Sequence, residues 1–194
     1  SRSAVSSVTA NSSAFRNAVS ADSWLADGNY DISWYDETKD EFSLSSPAQL
    51  AGLSYLVRAG KNFQYCTVRL SADIDLSNYK WIPIGTRGVE FKGLFDGGGH
   101  TISGLHTDME AFSGLFGAVA STDIRNVMLS SSCVVVGSVA GSIAGSMNES
   151  AIMNCRSDAA VQGYTAGGLV GNADNSSVLA SIFNGRVSKL EAAN

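Results

Sequence analysis

Residues 96–102, with the sequence Asp-Gly-Gly-Gly-His-Thr-Ile, contain the side chains best suited to acid–base chemistry. If Asp96 were a general acid or nucleophile and His100 its helper, the pair would suit the hydrolysis of a glycosidic bond. That reaction needs a second carboxylate about 5–10 Å from the first. The candidates for it are Asp73, Asp75 and Asp108. Because the sequence assigns none of them, a structural role is favoured, in which Asp96 and the glycines shape a tight turn that His100 caps.

The remaining metal-ligand candidates do not form a recognisable site. Asp73 and Asp75 flank Ile74 and would point to the same side of a strand, where a salt link or a turn contact is favoured over a metal pair. The cysteines match no zinc spacing, and their odd number and wide gaps argue against a disulfide framework. They are Cys66, Cys133 and Cys155. We therefore predict no metal and no cofactor, and we assign no catalytic residue.

Four aromatic side chains in the first half of the sequence would offer rings for stacking on a sugar if they were exposed. They are Trp24, Trp34, Tyr35 and Trp81. A folded cap would bury most of them, because large aromatic side chains contribute strongly to cores. A sugar-stacking face built from these four residues is therefore an option that the sequence does not favour.

The charge and hydropathy of the chain argue against several classes of partner. The formal net charge is −5, whereas nucleic acids and anionic membranes require a basic face. The acidic residues between positions 22 and 41 lack the spacing of a calcium loop and are interpreted as a solvated segment. No apolar run approaches the roughly 18 residues needed to span a membrane. Residues 1–20 are predicted to be a flexible tether that follows a removed export signal, which would make the protein secreted or exposed at a cell surface.

Three Gly-apolar-apolar-Gly segments predict the fold. They occupy positions 114–117, 142–145 and 168–171, which are almost evenly spaced, and Ser replaces the first Gly of the second segment. One coil of about three short strands with turns needs about 20–30 residues, which matches this spacing. Asn-Gly or Asp-Gly hairpin turns do not recur at a short, regular spacing in this region. We therefore predict an all-β, right-handed parallel β-helix, or solenoid.

Stacked coils predict columns of interior side chains about 4.8 Å apart. One column contains Leu115, Ile143 and Leu169, and a second contains the β-branched residues seven positions after each segment, which are Ile124, Ile152 and Val178.

Two further alignments concern possible chemistry. Cys155 aligns with Val127 and Ser181, so we interpret it as a small core filler and not as a reactive thiol. Asn126 and Asn154 also align, which predicts a short ladder of stacked amides at a turn. The ladder ends in the next coil, where the equivalent residue is Ala180.

Residues 46–60 predict one short helix, over about 47–59. Ser46 is the N-cap, Pro47 occupies the first helical position and Gly60 ends the helix. Its apolar stripe consists of Leu50, Leu53, Leu56 and Val57. Because a helix of three turns is not stable alone in water, this stripe must pack on another element. The open N-terminal end of the solenoid would accept it, so the helix is predicted to be a cap.

Strand-like segments lie on both sides of this helix. Residues 30–35 and 41–44 are predicted to pair over it. Irregular first coils are predicted from five later segments, at residues 66–70, 74–76, 81–84, 90–95 and 101–102. The resulting layout is one solenoid domain over residues 21–194, divided into a cap (21–65), irregular first coils (66–110) and repeats (111–190).

The chain resembles the GLUG-motif proteins of bacteria. The resemblance rests on residues 68–76, 81–85 and 91–105 and on the later Gly-Leu-Phe-Gly and Gly-Leu-Val-Gly segments; it departs at 142–145. It implies a secreted or cell-surface bacterial protein with a β-helical stalk or binding module, as in adhesin-like proteins and the non-catalytic parts of immunoglobulin-A peptidases. The zinc motif H-E-x-x-H of those peptidases is missing here, so no protease activity is implied. Residues 96–102 also resemble a segment of many β-helices, including polysaccharide lyases and glycosidases.

The leading expectation is a non-enzymatic surface module, either a stalk or an adhesin-like domain that binds a host protein or a glycan. One alternative is a carbohydrate-active β-helix enzyme, which a cluster of carboxylates in a lateral groove would favour. Another is a structural unit whose open last coil, near Val187, pairs edge to edge with another chain or continues into further repeats.

Overall fold

The computed structural model describes residues 22–108 and 110–191, so the tether predicted at 1–20 lies outside the described residues. Within the described ranges the chain forms one helix, α1 (Pro47–Arg58), and 18 strands. The strands pair in parallel and form four sheets.

Each sheet runs along the solenoid and takes at most one strand from each coil. The six-stranded sheet contains β1 (Glu41–Leu44), β2 (Thr67–Leu70), β4 (Leu94–Asp96), β8 (Asp123–Arg125), β12 (Ala151–Met153) and β16 (Ser177–Leu179). The five-stranded sheet contains β3 (Ile74–Asp75), β5 (Thr101–Ser103), β9 (Met128–Leu129), β13 (Arg156–Ser157) and β17 (Ile182–Phe183). The four-stranded sheet contains β6 (Glu110–Ser113), β10 (Val134–Gly141), β14 (Ala160–Gly167) and β18 (Arg186–Lys189). The three-stranded sheet contains β7 (Phe116–Ala120), β11 (Ala144–Asn148) and β15 (Val170–Asp174).

The register of the six-stranded sheet defines six coils of similar length. Its inward partners, in order, are Phe42, Val68, Phe95, Ile124, Ile152 and Val178. The predicted parallel β-solenoid with a short helix is therefore confirmed. The estimate of about three strands per coil is too low for the third, fourth and fifth coils, which have four each. The reason is that the first two residues of each Gly-apolar-apolar-Gly segment form a corner between two strands.

The interior columns pack as the repeats predict, up to the last coil. Leu115 and Ile143 are buried, whereas Leu169, which follows them in the same column, is only partly buried. In the other predicted column, Ile124 and Ile152 are buried and Val178 is 45% exposed. The last coil is more open because no further coil lies on top of it in the described part of the chain.

Helix α1 begins and ends as its flanking residues predict. The Ser46 side chain accepts a hydrogen bond from the Gln49 N–H, and Pro47 is the first helical residue. At the other end, Gly60 has a φ of 101° and its N–H donates to the Val57 carbonyl, while the Lys61 N–H donates to that of Leu56. These two bonds form a Schellman motif, which needs a left-handed residue where Gly60 stands.

The packing of α1 explains why it forms in this chain. All residues from position 50 to 57 are buried. On one side the Ser54 hydroxyl donates to the Ile82 carbonyl over 2.7 Å, and the Arg58 Nε donates to that of Pro83 over 2.8 Å. On another side the Tyr55 ring stacks on Tyr30 at 4.4 Å. The helix thus lies between the second coil and the segment that precedes β1.

Aromatic rings continue from this helical end into the solenoid core. Phe63 contacts Phe42 and Phe91, with ring centroids 5.8 and 6.1 Å away. Phe91 contacts Phe116 at 5.4 Å, and Phe116 contacts Phe95 at 5.2 Å. All five rings are buried. Because one run of contacts links the first three coils, we expect the capped end and the start of the repeats to be coupled in stability.

The prediction that residues 30–35 pair as a strand with 41–44 is wrong. Strand β1 instead pairs in parallel with β2. Residues 30–35 form turns, in which the Ser33 N–H donates to the Asp31 carboxylate and the Asp31 N–H donates to the Ala48 carbonyl. An aspartate that bonds the backbone two residues onward favours a turn over a strand.

Residues 81–84, predicted to be strand-like, form no regular strand either. Ile84 makes an isolated bridge to Phe116. Pro83 has no N–H to donate, so a ladder cannot continue through it.

Candidate functional site

Two neighbouring grooves flank the six-stranded sheet, one at the start of its strands and the other at the corner where it meets the five-stranded sheet. The first, here named the Tyr65 groove, has a volume of about 570 Å³, and its lining includes Tyr65, Thr67, Lys92, Leu94, Asp123 and Glu149. The second, here named the corner groove, has a volume of about 700 Å³, and its lining includes Arg69, Asp96, Gly98, Asn126, Asn154 and Arg156. Thr67 and Arg69 lie two positions apart on β2, so about 7 Å of strand separates the two linings.

Asp96, at the end of β4, accepts four polar contacts in the corner groove. Its Oδ1 accepts hydrogen bonds from the Gly98 N–H and from the Asn126 Nδ2, both at 2.9 Å. Its Oδ2 lies 3.4 Å from the Arg69 Nε and 3.3 Å from the Arg125 Nε. Since the two arginines come from the neighbouring strands β2 and β8, this carboxylate connects three coils.

These contacts hold the pKa of the Asp96 carboxyl below its ordinary value. Burial acts to raise the pKa, but the hydrogen bonds from Asn126 and Gly98 and the charges of Arg125 and Arg69 together outweigh it. The general acid of a glycosidase needs a shift in the opposite direction, towards neutral pH. The environment of Asp96 therefore favours the charged carboxylate, which acts as an acceptor that shapes a turn.

The predicted amide ladder is present and begins at Asp96. The Asn126 Nδ2 donates to Asp96, and the Asn154 Nδ2 donates to the Asn126 Oδ1 over 2.7 Å. Because an ionised carboxylate can only accept, Asp96 fixes the direction in which both amides point. Asn126 and Asn154 have φ angles of 55° and 51°, and Asn adopts this left-handed region more readily than most residues.

We expect that Ala180→Asn stabilises the protein by about 1 kcal/mol. Ala180 occupies the next position of the ladder with a φ of 47°, so asparagine would relieve backbone strain and donate to the Asn154 Oδ1. The measurement is the free energy of unfolding in urea. Ala180→Gly is the control, because glycine relieves the strain without supplying an amide. If asparagine is no more stabilising than glycine, the ladder bond contributes nothing at this position.

The structure does not pair Asp96 with His100. The His100 Nδ1 lies 3.4 Å from the Asp73 Oδ1, and the same Asp73 oxygen accepts from the Thr101 N–H over 2.9 Å. The predicted turn at 96–100 is present, since the Gly98 N–H bonds Asp96 and the His100 N–H bonds the Gly97 carbonyl. The imidazole, however, contacts Asp73 instead of capping that turn.

The other candidate carboxylates have separate contacts. Asp75 accepts a hydrogen bond from the Ser77 N–H over 3.0 Å, which is the turn contact favoured for it. Asp108 lies 3.1 Å from the Lys80 Nζ, which also lies 3.4 Å from Asp22. Neither Asp75 nor Asp108 lines the corner groove or the Tyr65 groove.

The aromatic residues considered for sugar stacking belong mainly to the core. Trp24 and Trp81 are buried, and each indole N–H donates to a backbone carbonyl, at Leu76 and Leu115 respectively. Trp34 and Tyr35 are partly buried and pack on Phe42 and Phe63. A sugar-stacking face from these four residues is therefore not present.

The cysteines match the interpretation of Cys155 as a core filler. All three are free thiols, and Cys133 and Cys155 are buried. Burial raises the pKa of Cys155 to about 11, which keeps it protonated at neutral pH. Among residues 22–108 and 110–191, no group of three or more His, Cys, Asp or Glu side chains is arranged to hold a metal ion.

Sequence reasoning missed the residues of the Tyr65 groove. Tyr65, Lys92, Asp123 and Glu149 lie in turns, connections or strand ends of different coils, far from one another along the chain. A possible signal was the repeat itself, since residues one coil apart must be neighbours. The variable length of the early coils hides that relation in the sequence.

Comparison of the chain with protein-family models, with curated proteins and with solved structures gave no match. The resemblance to GLUG-motif proteins thus stays a prediction from the motifs. In the described part of the chain, no helix has the length and apolar character required to cross a membrane.

Proposed function

We propose that this chain is a non-enzymatic module of a secreted or cell-surface bacterial protein of the GLUG-motif type, and that it binds a host glycan or protein. The observation that supports this proposal is the pair of neighbouring grooves on the face of the solenoid that carries the six-stranded sheet and its corner with the five-stranded sheet. The interior columns of the solenoid are filled with apolar side chains, so its outer faces are the surfaces available to a ligand.

The geometry of this face suits an elongated ligand. Equivalent positions of successive coils recur about every 4.8 Å along the sheet. In and beside the corner groove lie the guanidinium groups of Arg69, Arg125 and Arg156, whose side chains are 57%, 38% and 54% exposed. The amides of Asn126 and Asn154 lie in the same groove. Donors from successive coils can bind repeated acceptor groups on an extended chain, as in a polysaccharide or an extended peptide.

A binding screen tests the proposal. The probes are immobilised neutral and acidic oligosaccharides and a set of vertebrate surface proteins. We expect at least one probe to bind. If it binds in the corner groove, Arg156→Ala should weaken the binding about three- to tenfold; if it binds in the Tyr65 groove, Tyr65→Ala should have that effect. Arg186→Ala is the matched control, because Arg186 is an exposed arginine on β18, in a different sheet. Absence of binding across the panel, or binding unchanged by both groove variants, would contradict the proposal.

A carbohydrate-active enzyme is the second candidate, because Asp123 and Glu149 both line the Tyr65 groove. Both carboxylates are exposed, so neither has the apolar surroundings that turn a carboxyl into a general acid. The same screen separates the two functions. Release of shorter sugars during incubation, abolished in both Asp123→Asn and Glu149→Gln, would favour the enzyme.

Self-assembly through the last coil is a third candidate, because two side chains of this coil that belong to interior columns are exposed. Val178 and Val187 are 45% and 43% exposed, although their partners Ile152 and Val161 in the coil below are buried. Within residues 22–108 and 110–191, the backbone of β16 and β18 also lacks a strand on its outer side, and such edges invite pairing with a second chain or with a further repeat. Sedimentation velocity over a range of protein concentrations distinguishes this candidate, since a binding module has no need to associate.

A further inference from the structure

Two aromatic residues between α1 and β2 have left-handed backbone angles. Phe63 has a φ of 59° and Tyr65 a φ of 67°. For residues other than glycine, and especially bulky ones, this region is strained. The segment is held in place by backbone bonds, because the Cys66 N–H donates to the Phe63 carbonyl over 2.9 Å and the Lys92 N–H donates to the Asn62 carbonyl over 2.8 Å.

Core packing accounts for the strain at Phe63 but not at Tyr65. The Phe63 ring is buried against Phe42 and Phe91, so its burial offsets the unfavourable backbone angle. The Tyr65 side chain is 89% exposed. Tyr65 therefore has a strained backbone without the burial that offsets it at Phe63, and backbone strain of this kind concentrates at ligand sites.

Polar side chains line the groove that contains Tyr65. Lys92, Asp123 and Glu149 line the same groove, together with the hydroxyl-bearing Ser121. The Ser121 hydroxyl contacts the Glu149 carboxylate at 3.4 Å. In a groove that combines these groups with an aromatic side chain, the ammonium group and the carboxylates offer donors and acceptors to hydroxyl groups, while the aromatic face offers an apolar surface.

We propose that the Tyr65 groove binds a sugar ring of a neutral glycan, with Tyr65 as the stacking platform and Lys92, Asp123 and Glu149 as hydrogen-bonding partners of its hydroxyls. A pyranose has an apolar C–H face and a polar rim, which matches this arrangement. Two carboxylates against one ammonium group disfavour an acidic sugar at this groove. The inference rests on the proposed binding function and specifies its site and ligand class.

Titration calorimetry with defined sugars tests the inference. The probes are linear hexaoses of glucose, mannose, galactose and N-acetylglucosamine, with hexagalacturonate as the acidic counterpart. We expect at least one neutral hexaose to bind, Tyr65→Ala to weaken it about tenfold or more, and Tyr65→Phe to retain most of the affinity. Tyr164→Ala is the matched control, since Tyr164 is also an exposed tyrosine but lies on β14 in another sheet.

A second variant tests whether the strained backbone at Tyr65 serves binding at the expense of stability. Tyr65→Gly removes the left-handed penalty, so we expect its midpoint of thermal unfolding to rise by about 2–4 °C while neutral hexaose binding is lost. Retained binding in this variant overturns the inference.

The remaining outcomes distinguish the inference from the proposed function. If a hexaose binds equally well to Tyr65→Ala but loses affinity in Arg156→Ala, the binding function stands and the inference fails. Stronger binding of hexagalacturonate than of every neutral hexaose also overturns the inference. If none of these sugars binds, the inference fails, and the proposed function then depends on the remaining oligosaccharides and the proteins of the wider screen.

Discussion

Phe116→Ala is expected to lower the free energy of unfolding by about 3–5 kcal/mol, the range seen when a buried phenylalanine is truncated in a rigid core. Phe116 is the aromatic residue of the Gly-Leu-Phe-Gly segment and is fully buried. Its ring contacts that of Phe91 in the preceding coil and that of Phe95 in its own coil. Truncation therefore removes apolar burial and also interrupts the aromatic contacts that join the capped end to the repeats.

The matched control for this prediction is Phe183→Ala. Phe183 belongs to the last coil, where its side chain packs against the core but is only partly buried. We expect a loss of about 1–2 kcal/mol, since less area is removed from water and solvent can fill the space. Urea-induced unfolding followed by circular dichroism measures both variants. Equal losses would contradict the larger cost expected for the fully buried ring of Phe116.

Asp96→Ala is expected to cost about 3 kcal/mol at neutral pH, because it removes two hydrogen bonds to a charged group, each of which contributes about 1.5–3 kcal/mol. The substitution removes the acceptor for the Gly98 N–H and the Asn126 amide. The pairs with Arg69 and Arg125 add less, because solvent reaches both arginine side chains, which are 57% and 38% exposed, and screens their charges. Asp123→Ala, which removes an exposed carboxylate from β8 in the same sheet, should change stability by less than about 0.5 kcal/mol.

The effect of Asp96 should also depend on pH. Its pKa is held below the ordinary aspartate value in the folded protein, so the carboxylate stabilises the fold above the unfolded-state pKa of about 3.9. This contribution is lost as the pH falls through the lower, folded-state pKa. We therefore expect the stability difference between the wild type and Asp96→Ala to be constant above about pH 5 and to shrink below about pH 4. A difference that grows on acidification would contradict the proposed role of this carboxylate.

The sequence by itself determined the fold class because every coil of a solenoid imposes the same packing constraints on its residues. Each Gly-apolar-apolar-Gly segment had to stack on the next, so the nearly even spacing of three such segments was enough to predict parallel coils and their interior columns. The helix was equally predictable, since Ser46, Pro47 and Gly60 satisfy local rules for starting and ending a helix. The amide ladder of Asn126 and Asn154 followed from the same alignment of coils.

Only the tertiary structure decided which side chains share a groove. Coil length is not constant, since the step from Phe42 to Val68 is shorter than the step from Phe95 to Ile124. A shift of one position turns an inward side chain outward, and it is not visible before the register is known. The lining of the Tyr65 groove therefore had no common signal in the sequence.

The same limit applied to Asp96 and His100, which are close in sequence yet have different partners. Asp96 bonds Arg125 and Asn126 of the next coil, whereas His100 contacts Asp73 of the previous one. Contacts between coils decide the partners of these two side chains, because the preceding and the following coil place different groups within hydrogen-bond distance. Local patterns thus fixed the scaffold of this protein, and the register between coils decided the chemistry of its surface.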